Sequence, residues 1–393
     1  MAYDFPNSPT IGQQVSTPAG VIYVWDGAKW KSLSSAAFTT YAPLTSPTFT
    51  GDPRAPTPTQ GDNDTSIATT EFVTTAVTAA QGLSYNNTGR NRLINPMFNI
   101  TQRGPGPFTT ATYTVDRWLI GLTTDTVSVT QVAASDTDRA AIGDESVQNV
   151  LQNVFTGNAA AGAYNQLVQR LENIRWLAGK VMVLSFWAKA NAGSPKLGIN
   201  LLQNFGTGGS PSANVRAFAT GSSVTLGTTW AKYALTIAIP SIAGKTLGSN
   251  SNDFTQLEIW YSSGATNNAA AGNIGVQSGT IQLWGMQLEF GTIATALEMR
   301  QHTIEAALCQ RFYQIIPFSI GGYNTAGNAI WQTITHLGSM RTTPTPNVAG
   351  GVLVNGSGAV LNALGNNASR VGLTMTATGP GSYVGTLILD AEL

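Results

Sequence analysis

Hydrophobic residues recur along this chain in three rhythms, and each predicts a different kind of element. Within VIYVWDGAKWKSL, the apolar Val21, Tyr23, Val24, Trp25 and Trp30 flank Asp26-Gly27. That pair favours a tight hairpin turn, so two short strands are expected. So few apolar side chains do not hold an independent domain in water. The preceding FPNSPTIGQQV reads as a proline-kinked extended segment. From Leu44 to Val73 Pro, Thr, Gly and Asp crowd the chain, with Phe49, Ile67, Phe72 and Val73 set at intervals. Residues 36–63 are therefore expected to be extended chain without repetitive hydrogen bonds. A helix is expected next. Asp64 or Thr65 serves as its N-cap, Glu71 places a negative charge early, and Gly82 stops it. Its apolar stripe is Ile67, Thr70, Val73, Val77 and Ala80. A single copy of so small a stripe is marginal, whereas three copies around an axis would bury it.

From Asn91 to Glu298 the rhythm becomes short alternation bounded by Gly, Asn and Ser. YTVDRWLIGL, SVTQVAA, VMVLSFWAKA, KLGINLLQ, AKYALTIAIP, QLEIWYSS and GTIQLWGMQLEF read as strands of a two-sheet antiparallel sandwich of jelly-roll size. YNQLVQRLENIRWLAG reads equally as a short helix or as a strand followed by an irregular loop. After Gln314, AIWQTITHL, GVLVNG, VGLTMTAT and YVGTLILDAEL predict a small β-domain ending on an apolar strand that needs a cover. The division that follows is 1–35, hairpin; 36–63, connector; 64–90, helix and linker; 91–300, sandwich; and 301–393, distal β-domain.

Composition alters this picture chiefly through charge. Asp, Glu, Lys and Arg are 10% of the chain, against roughly 25% in ordinary domains. Thr, Ser, Asn, Gln, Ala and 42 Gly take their place, a mixture suited to short strands and tight turns. Net charge is zero, which argues against nucleic acid or an anionic membrane as partner. The sequence has no apolar run of about 18 residues and no signal-peptide pattern, so a soluble protein without membrane insertion is expected. Cys309 is alone and reads as a buried thiol.

Motifs for chemistry are sparse. His302 and His336 are the only histidines, and neither has a Cys or carboxylate at ligand spacing. Asp62-Asn63-Asp64 resembles part of a calcium loop but lacks the rest of the pattern and reads as a capping turn. No metal or cofactor is expected, and no nucleophile elbow accompanies either histidine. Glycoside hydrolysis needs only two carboxylates, for which Asp116, Glu172, Asp253, Glu258 and Glu289 are available in the sandwich. Sugar binding needs aromatic faces and polar tips instead. Alternation places Trp187 and Trp260 on the polar sides of their strands, while Tyr323 and Trp331 stand at the start of the distal domain. These four are the candidate glycan contacts. The plainer alternative for the strand tryptophans is burial under loops or another subunit.

Several stretches resemble parts of tailed-bacteriophage tail-fibre proteins. SPTFTGDP…APTP…GDNDTSIATT closely resembles their connector, and YVWDGAKW resembles hairpins that fix fibres to the virion. NRLINPMFNITQRG with YTVDRW, LAGKVMVLSFWAKA and LWGMQLEFGTIATALEMR, continued by EAALCQRFYQ, resembles the carbohydrate-binding-like jelly rolls of such fibres over Asn91–Gln314. The resemblance implies an all-β homotrimeric fibre with anchor hairpin, extended shaft, short helical bundle, jelly-roll sandwich and distal tip. It implies attachment to other virion proteins through Tyr23, Trp25 and Trp30, and adhesion to a host surface glycan without catalysis. Two rivals stand beside it: a purely structural collar or head fibre, and a polysaccharide depolymerase.

Overall fold

The computed structural model describes residues 4–33, 51–59, 62, 64–82 and 89–393. Its contacts separate two units, Met1–Ala80 and Gln81–Leu393. The first unit carries β1 (Gln14–Ser16), β2 (Ile22–Trp25) and β3 (Trp30–Leu33) as an antiparallel sheet in that order. Asp26 makes the expected turn: its carboxylate accepts the Ala28 and Lys29 N–H groups at 2.9 and 2.8 Å. Gly27 there takes φ +101°, a backbone state in which glycine is at ease. Phe5 stacks on Trp30 and meets Tyr23 edge-on, each at 5.1 Å, and Trp25 lies 5.6 Å from Trp30.

The helix α1 (Thr70–Gly82) begins later than the sequence suggests. Asp64 is occupied by the N–H and hydroxyl of Ser66, at 2.7 and 2.5 Å, so it caps a local turn rather than the helix. Thr69 takes the capping role, its Oγ1 accepting the Phe72 N–H at 3.2 Å. Ile67 thus precedes the helix and is exposed, outside the stripe. The side chain of Ala80 lies outside the described residues. So do positions 34–50, 60, 61, 63 and 83–88, which include Phe49 and most of the expected shaft. The described stretch 51–59 forms neither helix nor strand.

The second unit opens with the sandwich. Its elements are β4 (Leu119–Thr123), β5 (Thr126–Ala133), α2 (Asp136–Ile142), β6 (Asn149–Thr156), β7 (Tyr164–Glu172), β8 (Val181–Ala190), β9 (Lys196–Asn204), β10 (Val215–Thr225), β11 (Ala231–Ala238), β12 (Phe254–Ser263) and β13 (Ser278–Phe290). The strands form one antiparallel sheet in the order β4-β7-β12-β9-β10-β11-β8-β13-β6-β5. Between β10 and β11 the pairing is only Ala219↔Ile237, and there the sheet folds onto itself. Leu184, Phe186 and Ala188 of one half meet Ile199, Leu201, Leu257 and Ile259 of the other in a closed apolar core. YTVDRW is not part of a strand. Thr114–Trp118 closes as a turn, with the Thr114 N–H donating to the Trp118 carbonyl at 2.7 Å and Arg117 at φ +73°. The ambiguous YNQLVQRLENIRWLAG resolves into β7 followed by a short 3-10 turn, Ile174–Trp176.

After α3 (His302–Gln310) comes the tip: β14 (Tyr313–Asn324), β15 (Ala329–Thr335), β16 (Thr345–Val354), β17 (Gly356–Ala363), β18 (Ala368–Met375) and β19 (Gly379–Asp390). They form two antiparallel sheets, β14-β19-β16 and β15-β18-β17. Phe318, Ile320, Tyr383 and Leu387 of the first pack on Ile334, Val371 and Leu373 of the second. The last residues tie the tip to the sandwich. Glu392 pairs with Arg117, and Arg341 donates to the Ala391 and Glu392 carbonyls at 2.7 and 3.0 Å.

Candidate functional site

Alternation along β15 turns Ile334 into the tip core and Trp331, Thr333 and Thr335 outward. Directly opposite Trp331 on β18 is Gly372, and opposite Gly372 on β17 is Val360. A Cβ at Gly372 would stand 2.7 and 2.8 Å from two ring carbons of Trp331, so the indole lies across the β18 backbone in a space that only glycine leaves. Arg370 shares this outward face, its guanidinium 5.5 Å from the ring centroid. Thr333 and Asn362 flank Arg370 on the neighbouring strands. Trp331 remains 41% exposed. A supported aromatic face bordered by amide, hydroxyl and guanidinium groups matches the C–H faces and hydroxyls of a sugar.

The other sequence candidates lie elsewhere. Tyr323 is 72% exposed, but it is on the outward face of β14, in the sheet across the tip core, so it does not share a face with Trp331. Trp187 is half-buried in a second apolar layer with Trp230, Trp284, Val147 and Ile142 of α2. Trp260 is 3% exposed. Its ring packs on Tyr164 at 5.6 Å and against Ala271 and Ile274 of an overlying loop, and its Nε1 donates to Glu258 at 3.1 Å. Alternation places both tryptophans on the outer side of their strands as expected. That outer side is covered, and the two rings are packing residues. In the first unit Tyr23, Trp25 and Trp30 are half-buried in the aromatic cluster around Phe5.

Each carboxylate considered for hydrolysis has a partner. Glu172 receives Arg311 at 2.8 Å, Glu258 receives Arg216 at 2.9 Å, and Glu289 receives Arg90 at 3.2 Å. Asp116 accepts the Gln102 side chain at 2.6 Å, and Asp253 accepts the Ile174 N–H at 2.9 Å. Burial pushes the Asp116 and Glu258 carboxyls up, only partly offset by these hydrogen bonds and charges. Among the described residues no three His, Cys, Asp or Glu side chains converge as metal ligands would. Cys309 is fully buried, and burial raises its thiol pKa. Trp176, which sequence reasoning passed over, is 65% exposed. Its signal was a lone aromatic between the apolar Ile174 and Leu177 in a segment whose conformation the pattern left open.

No protein-family model and no curated protein matches the chain. Among solved structures it is similar to the family 11 carbohydrate-binding module of the Clostridium thermocellum cellulase Lic26A-Cel5E, at 13% identity over 49% of this chain and 97% of that one, with a TM-score of 0.28. The CBM22-1 xylan-binding domain of Paenibacillus barcinonensis Xyn10C matches at 14% identity over 52% and 96%, TM-score 0.28. The enzymatically active domain of bacteriophage CBA120 tailspike protein 4 matches at 16% identity over 51% of this chain but 22% of that one, also at 0.28.

Proposed function

We propose that this chain is an adhesion protein of a tailed-phage fibre that binds a bacterial surface polysaccharide without cleaving it. The observation that carries the binding reading is the Trp331 ring, seated on Gly372 and open to solvent beside Arg370. A large aromatic left exposed on a rigid sheet, with polar groups fixed around it, is arranged for stacking rather than for packing. The reading of binding without cleavage is supported by the five sandwich carboxylates considered above, each paired with an arginine, an amide or a backbone N–H. The fibre reading is supported by the resemblance of the connector and hairpin. In it, Tyr23, Trp25 and Trp30 face the virion, and three copies of α1 share their half-exposed Val73 and Val77. Trimerisation would add avidity to individually weak sugar contacts. Incubating the full chain with purified host-surface polysaccharide tests the proposal. Saturable binding with no new reducing ends is expected.

A further inference from the structure

A second feature of the larger unit is unused by the tip platform. A cleft of about 530 Å³ opens beside β7, with Arg92, Gln169, Glu172, Asn173, Trp176 and Arg311 among its lining residues. Trp176 at this cleft is held in place by its turn. Asn173 and Ile174 donate N–H groups to the backbone carbonyl and carboxylate of Asp253, at 3.1 and 2.9 Å, and the flanking Ile174 and Leu177 are buried. An indole that stays 65% exposed on so fixed a turn is presented to solvent by the fold.

The arginines of the cleft differ in what neutralises them. Arg311 pairs with Glu172, Arg300 with Glu298 and Glu305, and Arg117 with Glu392. Arg170 is taken up by Gln256 and the Leu393 carbonyl. Arg92 has no such partner among the described residues. Its guanidinium lies 4.6 Å over the Phe290 ring, its Nε is buried without an acceptor, and no carboxylate pairs with it among the described residues. The contact with Phe290 holds the guanidinium while leaving its charge without a paired carboxylate, an arrangement suited to an oxyanion, carboxylate or phosphate, that accepts from its N–H groups.

We propose that this cleft binds a saccharide unit carrying an oxyanion, with Arg92 pairing the anionic group and Trp176 stacking on the sugar ring. The saccharide part rests on the adhesion reading above; the anionic part rests on Arg92 alone. A sugar carboxylate and a sugar phosphate share this chemistry, so the probes are trigalacturonic acid, its methyl ester, and glucose 6-phosphate, titrated into the full chain by calorimetry. At least one anionic probe is expected to bind, the acid at least tenfold more tightly than its methyl ester if the anion is a carboxylate, and more weakly as salt is added. Arg92→Ala should abolish that preference, Arg92→Lys should keep part of it, and Trp176→Ala should weaken binding roughly tenfold, in line with the stacking energy of one ring. Arg92 makes no side-chain hydrogen bond among the described residues, so unchanged thermal midpoints are expected and confirm that its variants fold. Equal affinity for acid and ester with no binding of the phosphate, or parental binding by Arg92→Ala, overturns the inference. In that event a chain that still binds host polysaccharide through Trp331 leaves the adhesion reading standing.

Discussion

Trp331 and Trp260 occupy equivalent outward positions on their strands, yet one is 41% exposed and the other 3%. The difference lies in what covers them. Trp331 has Gly372 beneath it and only the Arg370 guanidinium among the described residues' ring contacts, whereas Tyr164, Ala271 and Ile274 enclose Trp260. Replacing each by alanine should therefore give opposite results. Trp260→Ala is expected to cost about 3–5 kcal/mol, as large core deletions do. It also strips a hydrogen bond from the buried Glu258. Trp331→Ala should change stability by no more than about 1 kcal/mol, while polysaccharide binding weakens about tenfold or more. Chemical denaturation and binding assays on the two variants check this, and a destabilised Trp331→Ala that binds normally would reverse the assignment. Alternation was enough to tell the side of the strand. It carried no information about the loop over Trp260 or the helix beside Trp187, because those covers come from distant segments.

Helix α2 shows how one short element fixes a face. Ser135 and Asp138 form a reciprocal cap, and the Asp138 carboxylate also takes Lys189 at 2.6 Å and Trp230 Nε1 at 2.7 Å, which pins the helix on the outer apolar layer. Burial opposes ionisation of Asp138, but the hydrogen bonds from Lys189, Trp230 and Ser135 outweigh it and hold the carboxyl below the usual range. A lowered folded pKa means that the stabilisation is present above the unfolded value of about 3.9 and is lost as pH falls through the folded one. Asp138→Asn should accordingly be less stable than the parent at pH 7, with the gap narrowing as the medium is acidified toward pH 3. Urea melts across that range provide the check; a gap that widens in acid would contradict the network. Elements with clean alternation, such as β8, β9, β12 and β13, were legible in the sequence. β14 was not, because Pro317 and Gly321-Gly322 interrupt it. Its place at the edge of its sheet is what tolerates the proline. β10 was hidden by Gly221 and the bulge between Phe218 and Ser223.

At the scale of the whole molecule the two units differ in how much they bury. The larger one closes two apolar cores, one between the folded halves of its long sheet and one between the tip sheets. Within the first unit, Val73 and Val77 of α1 remain about half-exposed, and on the tip Val352, Val354 and Val384 are exposed together on β16 and β19. Apolar surface of this kind is expected to be covered by further copies of the chain. Sedimentation equilibrium should give three times the 41.2 kDa chain mass, and a stable monomer at working concentration would count against the fibre reading. The central claim, adhesion to a surface polysaccharide without cleavage, is tested most directly by titrating purified host-surface polysaccharide into the full chain while assaying reducing ends in the same samples. Saturable binding that Trp331→Ala weakens, with reducing ends constant over time, is the predicted result. Reducing ends that rise with incubation, or an absence of binding by the parent chain, would contradict it.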